Sequence, residues 1–327
     1  MITRRRLASV LTFIFLIPCA SSSQQSGHVF RVGVLDPTSS QYASKRVGVF
    51  RAALRDLGYV EGKNIAIDFR SAEGDYERLA GLAEDLARSR EDVIVAATPP
   101  AMEAIKATGT TIPVVMIAIP NPVAAGFIAS LARPGGNVTG LSNLSVDLSG
   151  KRVEVLRAAI PSLSRVAVLK NPDHPDHPAM VKNTQATAKS EEMTVLTFEA
   201  RNAKEIGKAM AELTREHAEA VIVLPDAFFS SQRRQIIDLA KAGRLPSMFW
   251  TRELVEAGGL LSYGQSNAEH FRLAATYVDK ILKGAKPSDL PVQQPTRIEL
   301  IVNRATAKAI ALTLPETLLA RADDVVD

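Results

Sequence analysis

Short apolar runs alternate with amphipathic stretches along the chain, most clearly in its first half. Four runs rich in β-branched residues are each closed by polar or turn residues. They occupy residues 32–35, 65–69, 93–97 and 114–117. Runs of this length, bounded by turn signals, predict strands buried on both faces of a parallel sheet.

The stretches between these runs carry apolar residues at intervals of three and four, which predicts amphipathic helices. Val47, Phe50, Leu54 and Leu57 define the first, and Gly58 is its stop signal. Helices are predicted over residues 41–57, 76–87, 101–108 and 126–132. Strands that alternate with helices indicate parallel pairing through right-handed crossovers.

The second half of the chain follows the same order. Strands are predicted over residues 166–169, 195–198, 221–224, 246–249 and 260–263, and helices over residues 150–159, 179–191, 203–217, 231–242 and 268–283. Residues 290–303 indicate an extended link followed by a strand, and residues 311–323 close the chain. We expect the helix over residues 268–283 to return to the first half, and the link to cross again.

The two halves also match segment by segment. RVGVLDP at residues 31–37 corresponds to RVAVLKNP at 165–172, and GGNVTGLSN at 135–143 corresponds to GGLLSYGQSN at 258–267. The start positions differ by 134 residues for the first pair and by 123 for the last. A repeat this long indicates two copies of one supersecondary plan.

These patterns predict an α/β fold of two similar doubly wound, Rossmann-like lobes joined by a multi-strand hinge. The hinge centres on the Gly- and Ser-rich residues 134–150. The first lobe is predicted to span residues 27–143 with about 265–290, and the second residues 144–264 with about 291–327. A cleft between two lobes is a common place for a small ligand.

The first 26 residues indicate an export signal and tether. Arg4, Arg5 and Arg6 precede an apolar stretch over residues 7–17, and small residues follow it. Cys19, the only cysteine, is a candidate lipid-attachment site. The exported chain would then have no disulfide, so its stability must come from burial.

Charge does not indicate a nucleic-acid partner. The chain has 39 Lys and Arg and 35 Asp and Glu, and without the three arginines of the signal only 36 basic residues remain. Basic and acidic residues are interspersed and form no block.

Candidate ligand contacts follow from the rule that doubly wound sheets bind ligands beyond the carboxyl ends of their strands. That rule selects the loops at residues 36–42, 98–101, 118–121, 171–177 and 225–229, to which we add residues on the hinge strands and aromatic residues. The predicted contacts are Asp36, Ser40, Tyr42, Thr98, Pro99, Pro100, Ala101, Ala118, Asn121, Ser142, Asn143, Asn171, Asp226, Phe228, Trp250 and Tyr263.

Some of these residues have an alternative structural role. The segment from Thr98 to Ala101 predicts a helix N-terminus that faces a carboxylate, or a helix that Thr98 merely caps. Asp226 would meet a ligand ammonium or cap a helix. Trp250 would stack on an apolar ligand or belong to the core.

The run NPDHPDHP at residues 171–178 contains metal-ligand residue types in His174 and His177. Its prolines favour turns, and no further His or Cys lies nearby, so a solvated loop is the preferred interpretation and no metal is predicted. The chain also lacks the G-x-S-x-G, G-x-G-x-x-G, P-loop and H-E-x-x-H motifs of common enzymes.

Several segments resemble one family closely. They are NPVAAG at residues 121–126, SLARPGGNVTGLS at 130–142, KNP at 170–172, EAGGLLSYG at 256–264, YVDKILKGAKPSDLPVQQPTRIELIVN at 277–303 and TLPETLLARADDVV at 313–326. Together they resemble the ABC-transporter substrate-binding proteins, including the tryptophan/tyrosine type. Asn121 replaces the family's usual Asp, and Phe249-Trp250 replaces an aliphatic-Tyr pair.

The resemblance implies a type I periplasmic-binding-protein fold in a periplasmic monomer without cofactor or enzymatic activity. It implies that the protein delivers a small solute to the membrane subunits of an ABC permease. We expect an amino acid or an aromatic, carboxylate-bearing compound, captured by hinge closure. Its carboxylate is expected at residues 98–101 and its apolar body near Tyr42, Trp250 and Tyr263. The alternatives are an exported sensor for a membrane receptor and a periplasmic enzyme that uses Asp226 or the His174/His177 segment.

Overall fold

The computed structural model describes residues 28–327, so the predicted signal segment and Cys19 lie outside the described residues. The first part of the described chain comprises β1 (Phe30–Asp36), α1 (Ser40–Asp56), β2 (Ile65–Ser71), α2 (Leu79–Arg88), β3 (Val93–Ala97), α3 (Pro99–Ala107), β4 (Val114–Ile119) and β5 (Val138–Ser142). These strands form a parallel sheet in the order β2-β1-β3-β4-β5.

The second part builds a second sheet. It comprises α4 (Leu148–Ala159), β6 (Arg165–Lys170), α5 (His177–Ser190), β7 (Thr194–Glu199), α6 (Ala203–Arg215), β8 (Ala220–Val223), α7 (Ala227–Ser231), α8 (Arg233–Ala242), β9 (Ser247–Phe249), α9 (Arg252–Glu256) and β10 (Leu261–Gln265). The last part comprises α10 (Asn267–Leu282), β11 (Ile298–Asn303), α11 (Arg304–Ala309), α12 (Glu316–Leu319) and β12 (Asp324–Val326).

Strand order confirms the predicted fold class of two similar α/β lobes. The second sheet has the order β12-β11-β10-β9-β8-β6-β7, so β7-β6-β8-β9-β10 repeats the order of the first sheet. Residues such as Val95 and Val168 are fully buried in the middle of their sheets, as strands covered by helices on both faces require. Among the strands of residues 28–327, only β11 runs antiparallel to its neighbour, β10.

The chain passes between the lobes three times after β5. Helix α10 follows β10 of lobe two but packs on lobe one, where Phe271, Ala274 and Val278 join the core of β1, β3 and α1. We name the passages the first crossing segment (residues 143–147), the second (265–266) and the third (294–297). Gln265 links all three, because it accepts from the Leu144 N–H at 2.8 Å and donates to the Pro295 carbonyl.

The predicted helix over residues 126–132 is wrong. This segment forms turns instead, because Gly126 has a positive φ of 67° and the Ala129 N–H donates to the Pro134 carbonyl at 2.9 Å. The predicted helix over residues 231–242 is confirmed as α8, whereas the short helix α7 before it, which Asp226 caps, was not predicted. Among residues 28–327, no helix is long and apolar enough to span a bilayer.

Candidate functional site

A cavity lies between the lobes, where the carboxyl ends of both parallel sheets face each other. Its volume is about 720 Å³, which includes the part that is open to solvent. Lobe one contributes residues such as Thr38, Tyr42 and Thr98, and lobe two contributes residues such as Met180 and Trp250. Size and position are those of a small-molecule site at the switch points of two doubly wound sheets.

Two strained residues form part of the lobe-one wall. Thr98 and Ala118 follow or end the neighbouring strands β3 and β4, and both have positive φ angles, 73° and 59°. A positive φ is unfavourable for a β-branched residue such as Thr98 and is held only where the surrounding structure requires it. The Thr98 hydroxyl makes no capping hydrogen bond to α3 and is buried without a partner in the described part of the chain, so the capping interpretation is wrong.

Arg46 and Asp36 form a buried ion pair beneath this wall. Arg46 Nη2 donates to Asp36 Oδ1 at 2.7 Å and Nε donates to Oδ2 at 3.1 Å, while the guanidinium carbon lies 4.8 Å from the centre of the Tyr42 ring. Burial lowers the pKa of Arg46, but the Asp36 carboxylate, together with Tyr42 and Glu253, raises it, and the pKa is raised overall. This guanidinium is therefore neutralised within the protein and holds Tyr42 at the cavity wall.

In lobe two, Asp226 follows β8 and lines the same cavity. Its Oδ1 accepts from the Phe229 N–H at 3.0 Å, which caps α7 as the alternative interpretation predicted. Its Oδ2 accepts from the Tyr76 hydroxyl of lobe one at 3.0 Å and from Asn171 Nδ2 at 3.1 Å. Burial raises the pKa of Asp226. Most of its accepting capacity is thus used within the protein, part of it across the cleft.

The segment with His174 and His177 is not a solvated loop. His174 is 5% exposed and His177 is fully buried at the start of α5, and their rings stack with centroids 4.3 Å apart. His270 on α10 also lines the cavity and is buried. We refer to these three residues as the buried histidines. Burial lowers the pKa of each.

Possible metal-ligand atoms of His174, His177 and Asp226 lie within 4.8 Å of one another. However, both ring nitrogens of His177 already have backbone partners, because Nδ1 accepts from the Asn171 N–H at 2.9 Å and Nε2 donates to the Pro225 carbonyl at 3.0 Å. A metal ion would have to displace these bonds. The arrangement instead fixes the loops that form the lobe-two wall.

Part of the predicted contact set reaches the cavity. These residues are Tyr42, Thr98, Pro99, Ala118, Asn143, Asp226 and Trp250. Trp250 also packs at the edge of the lobe-two core, as its core interpretation predicted, while its stacking on a ligand stays a prediction. Each of them belongs to a loop or helix start that the strand-end rule selects, or directly follows a strand, as Asn143 follows β5 and Trp250 follows β9.

The structure places the remaining predicted contacts elsewhere. Asp36 and Asn171 do not line the cavity but hydrogen-bond to Arg46 and Asp226, which do. Tyr263 packs on the lobe-two core. Pro100, Ala101 and Phe228 are buried away from the cavity, and Ser142 lies buried on β5. Ser40 is exposed and bonds Glu73, and Asn121 lines a neighbouring groove.

The predicted contacts did not include four charged or ionisable residues of the cavity wall, Arg46, Arg152, Asp176 and His270, although the selected loop 171–177 contains Asp176. Three of them lie inside helices α1, α4 and α10, whereas the strand-end rule selects loops. Their signal in the sequence is a polar residue on the apolar face of a helix.

Residues 31–326 match the profile of a protein family described as ABC transporter substrate binding protein. The chain belongs to this family. The resemblance seen in its sequence motifs is therefore confirmed, and substrate-binding proteins of ABC transporters are extracytoplasmic, solute-binding proteins.

Similar proteins include one that is named for its ligand and several of known structure. A tyrosine-binding protein of Clostridioides difficile is 28% identical over 262 residues, which are 80% of this chain and 75% of the relative. A conserved domain protein of Vibrio cholerae is 26% identical with a TM-score of 0.85, and an ABC domain of Streptococcus pneumonia in complex with L-Trp is 26% identical with a TM-score of 0.83. Each of these two structures matches 91% of this chain over 99% of its own length. The type I periplasmic-binding fold is confirmed.

A further relative was solved in another state. The ligand-free, open structure of a substrate-binding protein with adhesive properties from Clostridium difficile is 25% identical. It also covers 91% of this chain and 99% of its own, but its TM-score is only 0.64.

Proposed function

We propose that this protein is the solute-binding component of an ABC importer and captures an aromatic amino acid, or a similar aromatic carboxylate, between its lobes. The observation that carries the proposal is the cavity itself, in which Tyr42 of lobe one and Trp250 of lobe two both line the same space. Aromatic rings on both walls favour a ligand with a planar apolar body.

The relatives support the same ligand class. One is a tyrosine-binding protein and another was solved with L-Trp, at 28% and 26% identity. Met180 adds a polarisable, adaptable side chain to the lobe-two wall, which suits an aromatic ring. A family member with two aromatic walls is therefore best explained as a carrier of an aromatic solute.

The start of α3 is a weaker carboxylate site than its sequence indicated. Pro99 and Pro100 have no N–H, and the Met102 N–H donates to the Thr98 carbonyl at 3.2 Å. Only the Ala101 N–H remains at this helix end. We therefore propose that residues 98–101 shape the wall of the site and do not neutralise the ligand's charge.

Solute capture is proposed to occur by closure of the two lobes, and contacts across the cleft support this. The Ser39 N–H of lobe one donates to Ser231 Oγ of lobe two at 2.9 Å, and Tyr76 donates to Asp226. The chain also resembles the L-Trp complex more than the open relative, with TM-scores of 0.83 and 0.64 at nearly equal identity and coverage. A ligand shifts the equilibrium toward the state with which it makes more favourable contacts. A solute that contacts both lobes is therefore expected to stabilise the closed state.

The moving bodies are proposed to be residues 28–143 with about 265–290, and residues 144–264 with about 291–327. The closed pair would be recognised by the permease, and the protein is proposed to act as a periplasmic monomer, exported by its N-terminal segment. If Cys19 carries a lipid, Cys19→Ala would release the protein from membranes.

Thermal denaturation and small-angle X-ray scattering test the proposal. L-tryptophan or L-tyrosine at millimolar concentration is expected to raise the melting temperature and decrease the radius of gyration, whereas L-lysine and D-glucose leave both unchanged. A protein that responds to no aromatic amino acid or aromatic acid would contradict the proposed ligand class. A protein that gains stability without changing shape would contradict closure.

A further inference from the structure

Arg152 is a charged residue buried in the cavity wall at the base of the hinge. It lies on α4, is 1% exposed and lines the cavity. Its Nε donates to the Tyr263 carbonyl at 3.0 Å and its Nη1 to the Ser145 carbonyl at 3.3 Å. Within residues 28–327, no carboxylate oxygen lies within 4.0 Å of its guanidinium nitrogens, and Nη2 has no acceptor.

Arg46 in the same cavity provides the contrast. It is similarly buried, but Asp36 neutralises it through bidentate hydrogen bonds. Arg152 has only neutral carbonyl partners. Burial lowers its pKa to about 10, so it remains charged at neutral pH. A buried charge without a counter-ion is unfavourable, and such a charge in a ligand cavity points to an anion supplied by the ligand.

Other polar atoms of the cavity wall also lack hydrogen-bond partners among the described residues, including the Thr98 hydroxyl and Asp176 Oδ2. His270 also lines the cavity, is 2% exposed, and its Nε2 has no hydrogen-bond partner among the described residues. Its Nδ1 bonds the Ser266 carbonyl at 3.0 Å, which assigns the ring proton to Nδ1 and leaves Nε2 as an acceptor. The wall of the cavity thus keeps polar atoms unoccupied near the second crossing segment.

We propose that Arg152 is the anion subsite of the cavity and binds the carboxylate of the solute. The inference rests on the proposed function and assigns a group of the ligand to a residue. A planar guanidinium matches a carboxylate in geometry, and the unused Nη2 can donate to it while Nε and Nη1 keep their carbonyl partners. The site then selects acids over the corresponding amides and amines.

This position also links the ligand's charge to closure. Arg152 bonds the carbonyl of Ser145 in the first crossing segment and that of Tyr263 just before the second. When the lobes shut over an empty site, the guanidinium is buried without a counter-ion. An acidic solute removes this penalty, so it stabilises the closed state specifically.

A purely structural role for Arg152, as a tie between the hinge strands, makes a different prediction. Such a tie would affect all ligands equally, whereas an anion subsite affects only those with a carboxylate. L-tryptophan and L-tryptophanamide are a suitable pair of probes, since they differ only in replacing the carboxylate by a neutral amide. Their comparison in the wild type needs no substitution and is independent of any folding defect.

Isothermal titration calorimetry with this pair tests the proposal on the full chain. The wild type is expected to prefer the acid over the amide by at least about thirtyfold, the lower range for losing one partner of a buried charge pair. Arg152→Gln should abolish this preference by weakening the acid alone, and Arg152→Lys should keep part of it. Arg157→Gln is the control, because Arg157 on the same helix donates to the Leu163 carbonyl outside the cavity.

Two results would overturn the subsite. One is a wild type that binds acid and amide equally, and the other is an Arg152→Gln variant that loses both equally. If neither L-tryptophan nor L-tyrosine binds the wild type, the solute is not an aromatic amino acid of this kind, and phenylacetate, benzoate and their amides replace the pair. Arg152-dependent binding of those acids would support the subsite, whereas failure of every carboxylate would refute it.

Discussion

The hydroxyl of Tyr76 links the two lobes, and its removal by Tyr76→Phe is expected to weaken solute binding without unfolding the protein. Tyr76 lies in lobe one, just before α2, and donates to Asp226 Oδ2 of lobe two at 3.0 Å. It also accepts from the Ala227 N–H at 3.3 Å. The ring itself packs against the lobe-one core, so phenylalanine keeps this packing and removes only the hydroxyl.

The size of the effect follows from the bonds that remain. A hydrogen bond to a charged acceptor contributes about 1.5–3 kcal/mol, and we take the lower part of this range because Asp226 keeps Asn171 and the Phe229 N–H as donors. A loss of about 1.5–2 kcal/mol from the closed state raises the dissociation constant by about ten- to thirtyfold when the open state predominates without ligand. The dissociation rate should increase by a similar factor.

Calorimetry and stopped-flow release with L-tryptophan measure this effect, and Tyr59→Phe is the matched control. The Tyr59 hydroxyl donates to Asp279 Oδ1 at 3.1 Å, a bond of the same type that lies within lobe one. Tyr59→Phe should lower the melting temperature slightly and leave affinity unchanged. Equal losses of affinity in both variants, or an unchanged affinity in Tyr76→Phe, would refute the interlobe role.

Three further perturbations have clear expected outcomes. Burial lowers the pKa of each of the buried histidines, so below about pH 6.5 the unfolded chain takes up protons that the folded chain does not. The free energy of unfolding should therefore decrease as the pH falls from 7.5 to 5.5, by up to about 1.4 kcal/mol per imidazole. Asp176, whose pKa burial raises to about 6, and Asp226, whose pKa burial also raises, offset part of this decrease. Urea titrations that show no dependence on pH would contradict the assignment. Gly264→Ala should destabilise the folded protein by about 1–3 kcal/mol, because an added Cβ collides with the Trp250 carbonyl. Gly81→Ala on the exposed face of α2 should stabilise it by about 0.5–1 kcal/mol. Thermal denaturation of both variants gives the comparison. Gln265→Ala removes its hydrogen bonds to the first and third crossing segments and should lower the unfolding free energy by about 2 kcal/mol, which guanidinium titration would contradict by an unchanged midpoint.

Strand positions could be predicted from the sequence because burial on both faces leaves a distinct pattern. Val93–Ala97 was predicted with the bounds that the structure has, and the repeated strand order of the two lobes follows from the duplicated segments. Helix ends were harder to predict, because caps and turns depend on distant contacts. Residues 126–132 carry an apolar pattern but form turns, and Asp226 caps a short helix, α7, that the apolar spacing did not predict.

The site was partly predictable for the same reason. Thr98 and Asp226 follow strands, and the ends of parallel strands meet at one edge of a sheet, so their place at the cavity follows from local pattern. Nothing local shows whether Thr98 caps its helix or strains its backbone. Nor does local pattern show that Asp226 meets a tyrosine 150 residues earlier in the chain.

The sequence by itself determined the two-lobed α/β plan, the family and the loops that face the cleft, because these depend on residues close together in the chain and on motifs that repeat. Only the tertiary structure decided how the charges are paired. Arg46 lies ten residues from its partner Asp36, whereas Arg152 contacts carbonyls of separate hinge segments and no carboxylate within residues 28–327. Whether a buried charge is satisfied depends on which groups the fold places around it. These groups come from segments far apart in the chain, so no single stretch of the sequence specifies them.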